Sequence, residues 1–250
     1  VVLTTTDGGA TWQLASSALL PALRSLRMTS TLEGWAVGDR SEFLQSSLFL
    51  TRDGGKTWNP VPGIAAGDLA AADLDAAGRG AATDGAGRVF RIERRSIVAA
   101  PAAQFGPRRV RHLALSPSGA GVLVGDGGLV RLTADGGASW HVPPSDPAEG
   151  AGAQCDWRAV AVLGERLWIV GAPGSLVLYS PDAGRSWESF PTGQTLPLAD
   201  VRFVTPERGF AVGALGTILS TADGGRTWRP QTSAPRRAAY WACFAAAEEV

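Results

Sequence analysis

The chain has 250 residues and a formal net charge of zero, from 23 basic and 23 acidic side chains, so its overall field gives no reason to expect a nucleic-acid partner. Glycine (32) and proline (16) are abundant and charged residues make up only 18%, which favours strands and tight turns over long helices. The two cysteines and two histidines fit no zinc or redox spacing, so we expect no metal and no cofactor.

In chain order, a short motif marks the repeating units. It reads TTDGGATW from Thr5, TRDGGKTW from Thr51, TADGGASW from Thr133, SPDAGRSW from Ser180 and TADGGRTW from Thr221. The copies are spaced by roughly 45 residues, except for one interval about twice as long, and such a period is typical of solenoids and propellers. The long interval predicts a further unit without the motif.

That further unit is visible in the strand pattern. GRGAATDGAGRVFRI, residues 78–92, aligns without gaps on ERGFAVGALGTILST, residues 207–221. Where the motif should follow, the chain has only IERRS, without the aspartate, the glycine pair or the tryptophan. We therefore expect strands over residues 69–100, joined by a different turn.

Each unit has the alternation and turn residues of four short strands, and four-stranded units repeated radially make a β-propeller. We expect an all-β single domain over residues 1–250, with antiparallel blades. The predicted sections are a partial blade 1–14, whole blades at about 23–60, 69–100, 108–143, 155–190 and 198–231, and a partial blade 240–250. Two partial ends predict a fragment of a seven-bladed parent, with a six-bladed closed ring as the alternative.

The recurring motif is expected to be structural. Its aspartate can accept backbone N–H bonds within a tight hairpin, its Thr or Ser hydroxyl can do the same, and its tryptophan can pack into the blade. Five copies on one edge of a ring also argue against catalysis, which needs one asymmetric site. The residues concerned are Asp7, Trp12, Asp53, Trp58, Asp135, Trp140, Asp182, Trp187, Asp223 and Trp228.

The motif is similar to the Asp-box, or bacterial neuraminidase repeat. The combinations GWAVG…LTRDGGKTW and GFAVGALGTILSTADGGRTW resemble the photosystem II stability/assembly factor family. The resemblance implies a non-catalytic, exported assembly or stability factor of the periplasm or thylakoid lumen, although this chain carries no export signal. It also implies a protein partner, with membrane-complex subunits among the candidates. We expect a monomer without membrane insertion, since no apolar run is long enough to cross a bilayer.

A glycan-binding or glycan-cleaving propeller is the alternative function. The sialidase signature before an Asp-box has its nearest match in FRIE at residues 90–93, which lacks the proline and aligns with an ordinary third strand. In a xyloglucanase-like propeller, Asp156 and Asp200 are conceivable cleft carboxylates. Only the fold supports either enzyme, so we expect no catalytic residues.

Strand order predicts two different sides of the propeller. The motifs share one side with the turns between first and second strands, and the long linkers lie on the other, where binding is expected. Arginines concentrate where those linkers enter the first strands, and planar guanidinium groups suit the recognition of carboxylates. Four of them are expected at corresponding positions near the central channel and four around its mouth: Arg27, Arg111, Arg158 and Arg202, then Arg108, Arg109, Arg236 and Arg237.

The sequence leaves two questions open, one about the arginines and one about the cysteines. Asp73, Asp156 and Asp200 stand close to the first-strand arginines, so ion pairing is the competing interpretation of the basic residues. A disulfide between Cys155 and Cys243 is conceivable but has no support from spacing.

Overall fold

The computed structural model describes residues 2–5, 7, 10–15, 20–61, 67–75, 78–93, 96–100, 108–145, 147 and 153–231. Over these residues the protein is nearly all β, and the only helical element bounded within them is a 3-10 turn at Ala214–Gly216. The chain divides into two compact units, Val1–Pro101 and Ala102–Val250.

The first unit contains a two-stranded sheet and two four-stranded blades, all antiparallel. The two-stranded sheet pairs β1 (Val2–Thr4) with β2 (Gln13–Ala15). The first blade is β3 (Leu23–Met28), β4 (Gly34–Gly38), β5 (Leu48–Thr51) and β6 (Asn59–Pro60). The second blade is β7 (Leu69–Leu74), β8 (Gly80–Asp84), β9 (Val89–Glu93) and β10 (Ser96–Ala99).

The second unit contains three blades, also antiparallel. The third blade is β11 (Val110–Leu115), β12 (Gly121–Gly125) and β13 (Val130–Thr133). The fourth is β14 (Asp156–Leu163), β15 (Arg166–Ala172), β16 (Leu176–Ser180) and β17 (Glu188–Pro191). The fifth is β18 (Leu198–Phe203), β19 (Gly209–Gly213), β20 (Ile218–Thr221) and β21 (Arg229–Pro230). The predicted β-propeller class is confirmed, including the blade over residues 69–100 that has no motif.

The fourth strand of the third blade is shorter than expected. Here Leu132 and His141 exchange two backbone hydrogen bonds of 2.9 Å, and this isolated bridge is the whole of the fourth strand. Pro143 and Pro144 follow almost at once, and proline has no N–H to donate to a ladder. The partial blade predicted at residues 240–250 lies outside the described residues, as does Cys243.

The blades pack through apolar side chains of their middle strands. Trp35, Val37 and Leu48 of the first blade join Leu69 and Ile92 of the second in one cluster. In the second unit, one cluster joins the third and fourth blades and another joins the fourth and fifth. Each fully buried large side chain contributes about 1.5–3 kcal/mol, so neighbouring blades within a unit stabilise one another.

The motifs form the hairpins between third and fourth strands, as predicted. In the fifth blade, Asp223 Oδ1 accepts the backbone N–H of Thr227 at 2.9 Å, and Asp223 Oδ2 accepts the Thr227 hydroxyl. The hydroxyl of Thr221 donates to Asp223 and accepts the N–H of Gly225. The same aspartate contacts occur at Asp7, Asp53, Asp135 and Asp182.

The motif tryptophans are not all buried. Trp58, Trp140 and Trp228 are buried and Trp187 is half-buried, whereas Trp12 keeps 58% of its surface exposed. The expectation that every motif tryptophan packs into a blade is therefore wrong for Trp12. Its sheet has two strands only among the described residues, so no complete blade surrounds the ring.

Candidate functional site

Backbone hydrogen bonds confirm the predicted two sides within each unit. Gly54 of the first-blade motif donates to Leu32 at 2.9 Å, and Gly224 of the fifth-blade motif donates to Glu207 at 2.8 Å. Both acceptors lie in turns between first and second strands. We call this the box side, and the opposite end, where linkers enter the first strands, the linker side.

Every first strand carries a β-bulge near its linker-side end. The strand residue before the bulge pairs with the last residue of the second strand, or in the fourth blade with Gly171, the residue before the last, and the residue after the bulge resumes the pairing. The bulged residues are Arg24, Ala70, Arg111, Arg158 and Ala199. Arginine therefore occupies this position in three of the five blades.

The expectation that Arg27, Arg111, Arg158 and Arg202 occupy corresponding positions is wrong. Arg111 and Arg158 are bulged residues, but Arg27 pairs with Trp35 and Arg202 with Phe210. Because Trp35 and Phe210 both follow the glycine that opens the second strand, these two arginines lie further along the first strand, towards the box side. The four arginines thus occupy two levels rather than one.

The arginines nearer the box side lie close to carboxylates. Arg27 forms an ion pair with Asp73, the side chain at the corresponding position of the neighbouring blade. Arg202 lies 3.8 Å from Asp200, on the same strand. Asp73 and Asp200 are both buried. Ion pairing, the competing interpretation of the sequence, therefore describes Arg27 and Arg202.

Two of the bulged arginines are held by a carboxylate within their own blade. Arg24 binds both carboxylate oxygens of Asp39, at 3.1 and 3.0 Å, and Arg111 binds those of Asp126, at 2.6 and 3.2 Å. The hydrogen bonds from Arg111 to Asp126 raise the pKa of Arg111 above its usual value. Each aspartate directly follows the glycine that ends the second strand.

Arg158 has the same place in the fourth blade, but no acid opposite it. The residue after Gly171 is Ala172, where the first and third blades have aspartate. Arg158 is half-buried and makes no ion pair among the described residues. Asp156 accepts the N–H of Gly127 at 3.0 Å, so its carboxylate is engaged with the neighbouring turn.

Arg108 and Arg109 add two further cations at the start of β11. Both side chains are exposed, and neither makes an ion pair within the described part of the chain. The carbonyl of Arg109 accepts the N–H of Asp126 at 3.0 Å, which fixes the backbone at this point. We call Arg108, Arg109 and Arg158 the unpaired arginine cluster. Arg236 and Arg237 lie outside the described residues.

The conceivable catalytic and metal-binding groups do not assemble into a site among the described residues. Asp200 is buried and accepts the N–H of Val201, whereas Asp156 is exposed. No group of three or more His, Cys, Asp or Glu side chains there could hold a metal ion. Desolvation and then the positive charge of Arg202 lower the pKa of His112 to about 4, so this imidazole is neutral at neutral pH.

The partners Asp39 and Asp126 were missed by reasoning from the sequence. A signal was present, because Arg24–Asp39 and Arg111–Asp126 have the same separation in the chain. Such pairs are visible once the strand–turn–strand length is known, and the missing acid opposite Arg158 then stands out as well.

A family profile described as "Photosynthesis system II assembly factor YCF48" matches residues 108–199. The photosystem II assembly protein Ycf48 of Synechococcus sp. (strain JA-3-3Ab) is 26% identical over 179 residues, covering 69% of this chain and 52% of that protein. The chain is a β-propeller of bacterial neuraminidase repeats, like the photosystem II assembly factors. It spans about half the length of this relative.

Two other relatives of this propeller carry similar names. The photosystem II stability/assembly factor HCF136, chloroplastic, of Arabidopsis thaliana is 27% identical, over 44% of this chain and 27% of that protein. The photosystem II assembly lipoprotein Ycf48 of Synechococcus sp. (strain CC9902) is 30% identical, over 43% of this chain and 32% of that one. No helix among the described residues is both long and apolar enough to cross a membrane.

Solved structures share the fold of this propeller at low sequence identity. YCF48 from Cyanidioschyzon merolae superposes with a TM-score of 0.51 and 13% identity, over 84% of each chain. An ancestral GH74 enzyme superposes with a TM-score of 0.61 and 12% identity, over 91% of this chain and 35% of that one. Because the same fold serves an enzyme and an assembly factor, the fold alone does not decide between these functions.

Proposed function

We propose that this propeller is a non-catalytic assembly or stability factor that binds another protein through the linker side of its second unit. The observation that carries the proposal is the unpaired arginine cluster, Arg108, Arg109 and Arg158. The names of the relatives support an assembly role, and a membrane-complex subunit is the partner that those names favour. We further propose that it acts as an exported monomer, in a periplasm or thylakoid lumen.

The cluster is suited to a partner that presents carboxylates. Most carboxylates nearby are already engaged: Asp126 by Arg111, and Asp156 by the Gly127 amide. Arg108 and Arg109 keep their guanidinium donors available to solvent, and a planar guanidinium can bind a carboxylate through two parallel hydrogen bonds. An acidic segment of the partner would supply the charges that the described residues lack there.

Ordered backbone beneath the cluster supports recognition rather than a loose charged surface. Arg158 belongs to β14, where its neighbours Trp157 and Ala159 are paired with β15. Arg109 is anchored through its carbonyl by Asp126, and Gly128 donates to Cys155 at 2.7 Å across the same region. A partner would therefore meet arginines whose backbone is already fixed, which lowers the entropy cost of binding.

The test compares two charge-reversed proteins with the wild type. One variant carries Arg108→Glu, Arg109→Glu and Arg158→Glu. The control carries Arg185→Glu, Arg208→Glu and Arg226→Glu, three exposed arginines of the box side in the same unit. Proteins retained from membranes of the source organism are quantified by mass spectrometry at low salt.

We expect the wild type and the control to retain the same partner and the cluster variant to lose it. Retention by the wild type should also fall as salt screens the charges, because the Debye length is only about 10 Å at 0.1 M. Equal retention by both variants, with unchanged folding by circular dichroism, would contradict the proposal.

A further inference from the structure

A pocket of about 130 Å³ opens on the box side of the first unit, between the first and second blades. Its walls include Glu33, Trp35, Leu50 and Arg52 of the first blade and Asp75 and Gly78 of the second. We call it the inter-blade slot. It lies on the opposite side from the linkers and involves none of the arginines of the proposed partner surface.

The equivalent place between the fourth and fifth blades is filled by the fifth-blade motif. Trp168 corresponds to Trp35, and its indole N–H donates to the carbonyl of Gly224 at 2.8 Å. Gly225, at a positive φ of 89°, lies so close to Trp168 that a Cβ there would be 3.1 Å from the ring. The motif hairpin therefore covers the tryptophan of the preceding blade.

The second blade has no motif at this place, and Trp35 is covered by other side chains of the two blades. Its third strand ends at Glu93 and its fourth begins at Ser96, and these two residues pair directly. The indole N–H of Trp35 donates instead to the carbonyl of Leu74, at 3.0 Å. Trp35 is therefore hydrogen-bonded and only 2% exposed without a motif hairpin, so only a small part of it lines the slot.

Two side chains around the slot are smaller than their counterparts between the fourth and fifth blades. Leu50 stands where the fourth blade has Tyr179, since each pairs with the tryptophan of the second strand. Gly78 stands in the turn where the fifth blade has Glu207. The two turns correspond because the N–H of Asp75 donates to the carbonyl of Arg79 just as the N–H of Val204 donates to that of Arg208. Both changes remove side-chain volume from the same inter-blade space.

The equivalent place between the fourth and fifth blades, which we call the filled junction, carries different charges from the slot. There, Arg166 reaches across to the fifth blade, donating to the carbonyl of Pro206 at 3.1 Å and lying 3.5 Å from Glu207. The residue at the position of Arg166 in the first blade is Glu33, which directly precedes β4. The filled junction thus supplies its own cation, and the slot has an acid in its place.

Glu33 is exposed and makes no ion pair among the described residues. Across the slot, Asp75 is bound by Arg79 through its carboxylate, at 2.8 Å from the guanidinium Nη2. Arg52 also lines the slot, is exposed, and pairs with neither carboxylate within the described part of the chain. A cation entering from outside would therefore meet Glu33 as an available acceptor.

We propose that the inter-blade slot is a second binding site, which takes a basic side chain, arginine or lysine, from a partner protein. The incoming cation occupies the place that Arg166 fills in the second unit, with Glu33 as its counter-charge and Leu50 as the apolar wall beside its stem. This site is independent of the unpaired arginine cluster of the second unit, and it would give the box side of the first unit a preference for a basic partner.

The test is a nuclear magnetic resonance titration of the whole chain with N-acetyl-L-arginine amide. The backbone amides of Glu33 and Gly78 report on the slot, and N-acetyl-L-citrulline amide serves as the neutral probe of the same shape. We expect saturable shifts at these amides with the arginine compound only. Glu33→Gln should weaken the binding about fivefold, since an exposed charge pair contributes up to about 1 kcal/mol.

Two further variants separate the slot from general surface charge. Glu207→Gln removes an exposed acid at the corresponding place in the second unit and should leave the titration unchanged. Leu50→Tyr restores the side chain of the filled junction and should abolish binding while the fold is kept. Equal shifts with citrulline, or equal binding by the wild type and Glu33→Gln, would overturn the proposal.

Discussion

The second and fifth blades have the same four-stranded topology but differ in their last hairpin. The fifth blade uses Asp223, Gly224, Gly225 and Trp228 to bond the turn and to cover its neighbour. The second blade pairs Glu93 with Ser96 and keeps all of its ladders. The motif is therefore not needed to form a blade.

What the motif adds is contact beyond its own hairpin. It bonds to the turn between first and second strands of its own blade through Gly224 and Glu207, and to the preceding blade through Trp168. Trp228 then packs edge-on against Phe203, with ring centroids 6.1 Å apart. The difference teaches that the strands define the blade, whereas the motif ties the box side of one blade to the next.

The largest effect is expected for Trp228→Ala. Its ring is buried in the cluster that joins the fourth and fifth blades, and truncation of a packed tryptophan costs about 3–5 kcal/mol. Urea denaturation followed by circular dichroism measures the loss. A loss of unfolding free energy smaller than that for removing one methyl group would show that the motif does not stabilise the fifth blade.

The next effect is expected for Asp223→Ala. The change leaves the N–H and hydroxyl of Thr227 without their acceptor, and the lost hydrogen bonds should cost about 1–2 kcal/mol in unfolding free energy. Asp223→Asn keeps one acceptor oxygen for the Thr227 N–H and should recover part of the loss. If both variants lose the same amount, the carboxylate charge matters more than the geometry of the turn.

A smaller effect is expected from acid. Hydrogen bonds from the hydroxyl and then the N–H of Thr57 lower the pKa of Asp53 to about 2. Because the folded pKa lies below the unfolded value of about 3.9, the stabilisation is present above pH 4 and is lost as the pH falls towards 2. Urea midpoints between these values should fall less in Asp53→Asn. An equal fall in wild type and variant would contradict this assignment.

The smallest effect is expected for Trp12→Ala. This tryptophan belongs to the same motif as Trp228, but 58% of its surface is exposed, so the change should stay within about 0.5 kcal/mol. The same urea experiment serves both variants. A loss as large as that of Trp228→Ala would show that the ring is covered in solution by something outside the described residues.

The repeat predicted the fold because each blade repeats its alternation, its glycines and its turn lengths. Even the second blade was predictable, since GRGAATDGAGRVFRI keeps the strand pattern after the motif is gone. The fourth strand of the third blade was not, because a single bridge at His141 depends on how soon Pro143 ends the pairing.

The arginine positions were predicted less well because a bulge changes register without changing the residue pattern. Both DWRAV and DVRFV contain Asp-x-Arg, which aligns Arg158 with Arg202. In the structure, Arg158 directly follows the residue paired with Gly171, whereas Leu198, the partner of Gly213, lies well before Arg202. The equal arginine–aspartate separation was present in the sequence, but it distinguishes the paired Arg111 from Arg158 only once the lengths of the strands and the turn between them are known.

The short outer strands have a consequence for how these molecules behave when crowded. The fourth strands of the first, fourth and fifth blades each end in proline, at Pro60, Pro191 and Pro230. An exposed strand edge is a template on which another chain can add, and proline removes the donor that such addition requires. The rims of these blades therefore discourage sheet-to-sheet growth into fibres, and a Pro230→Val change would offer one more donor for it.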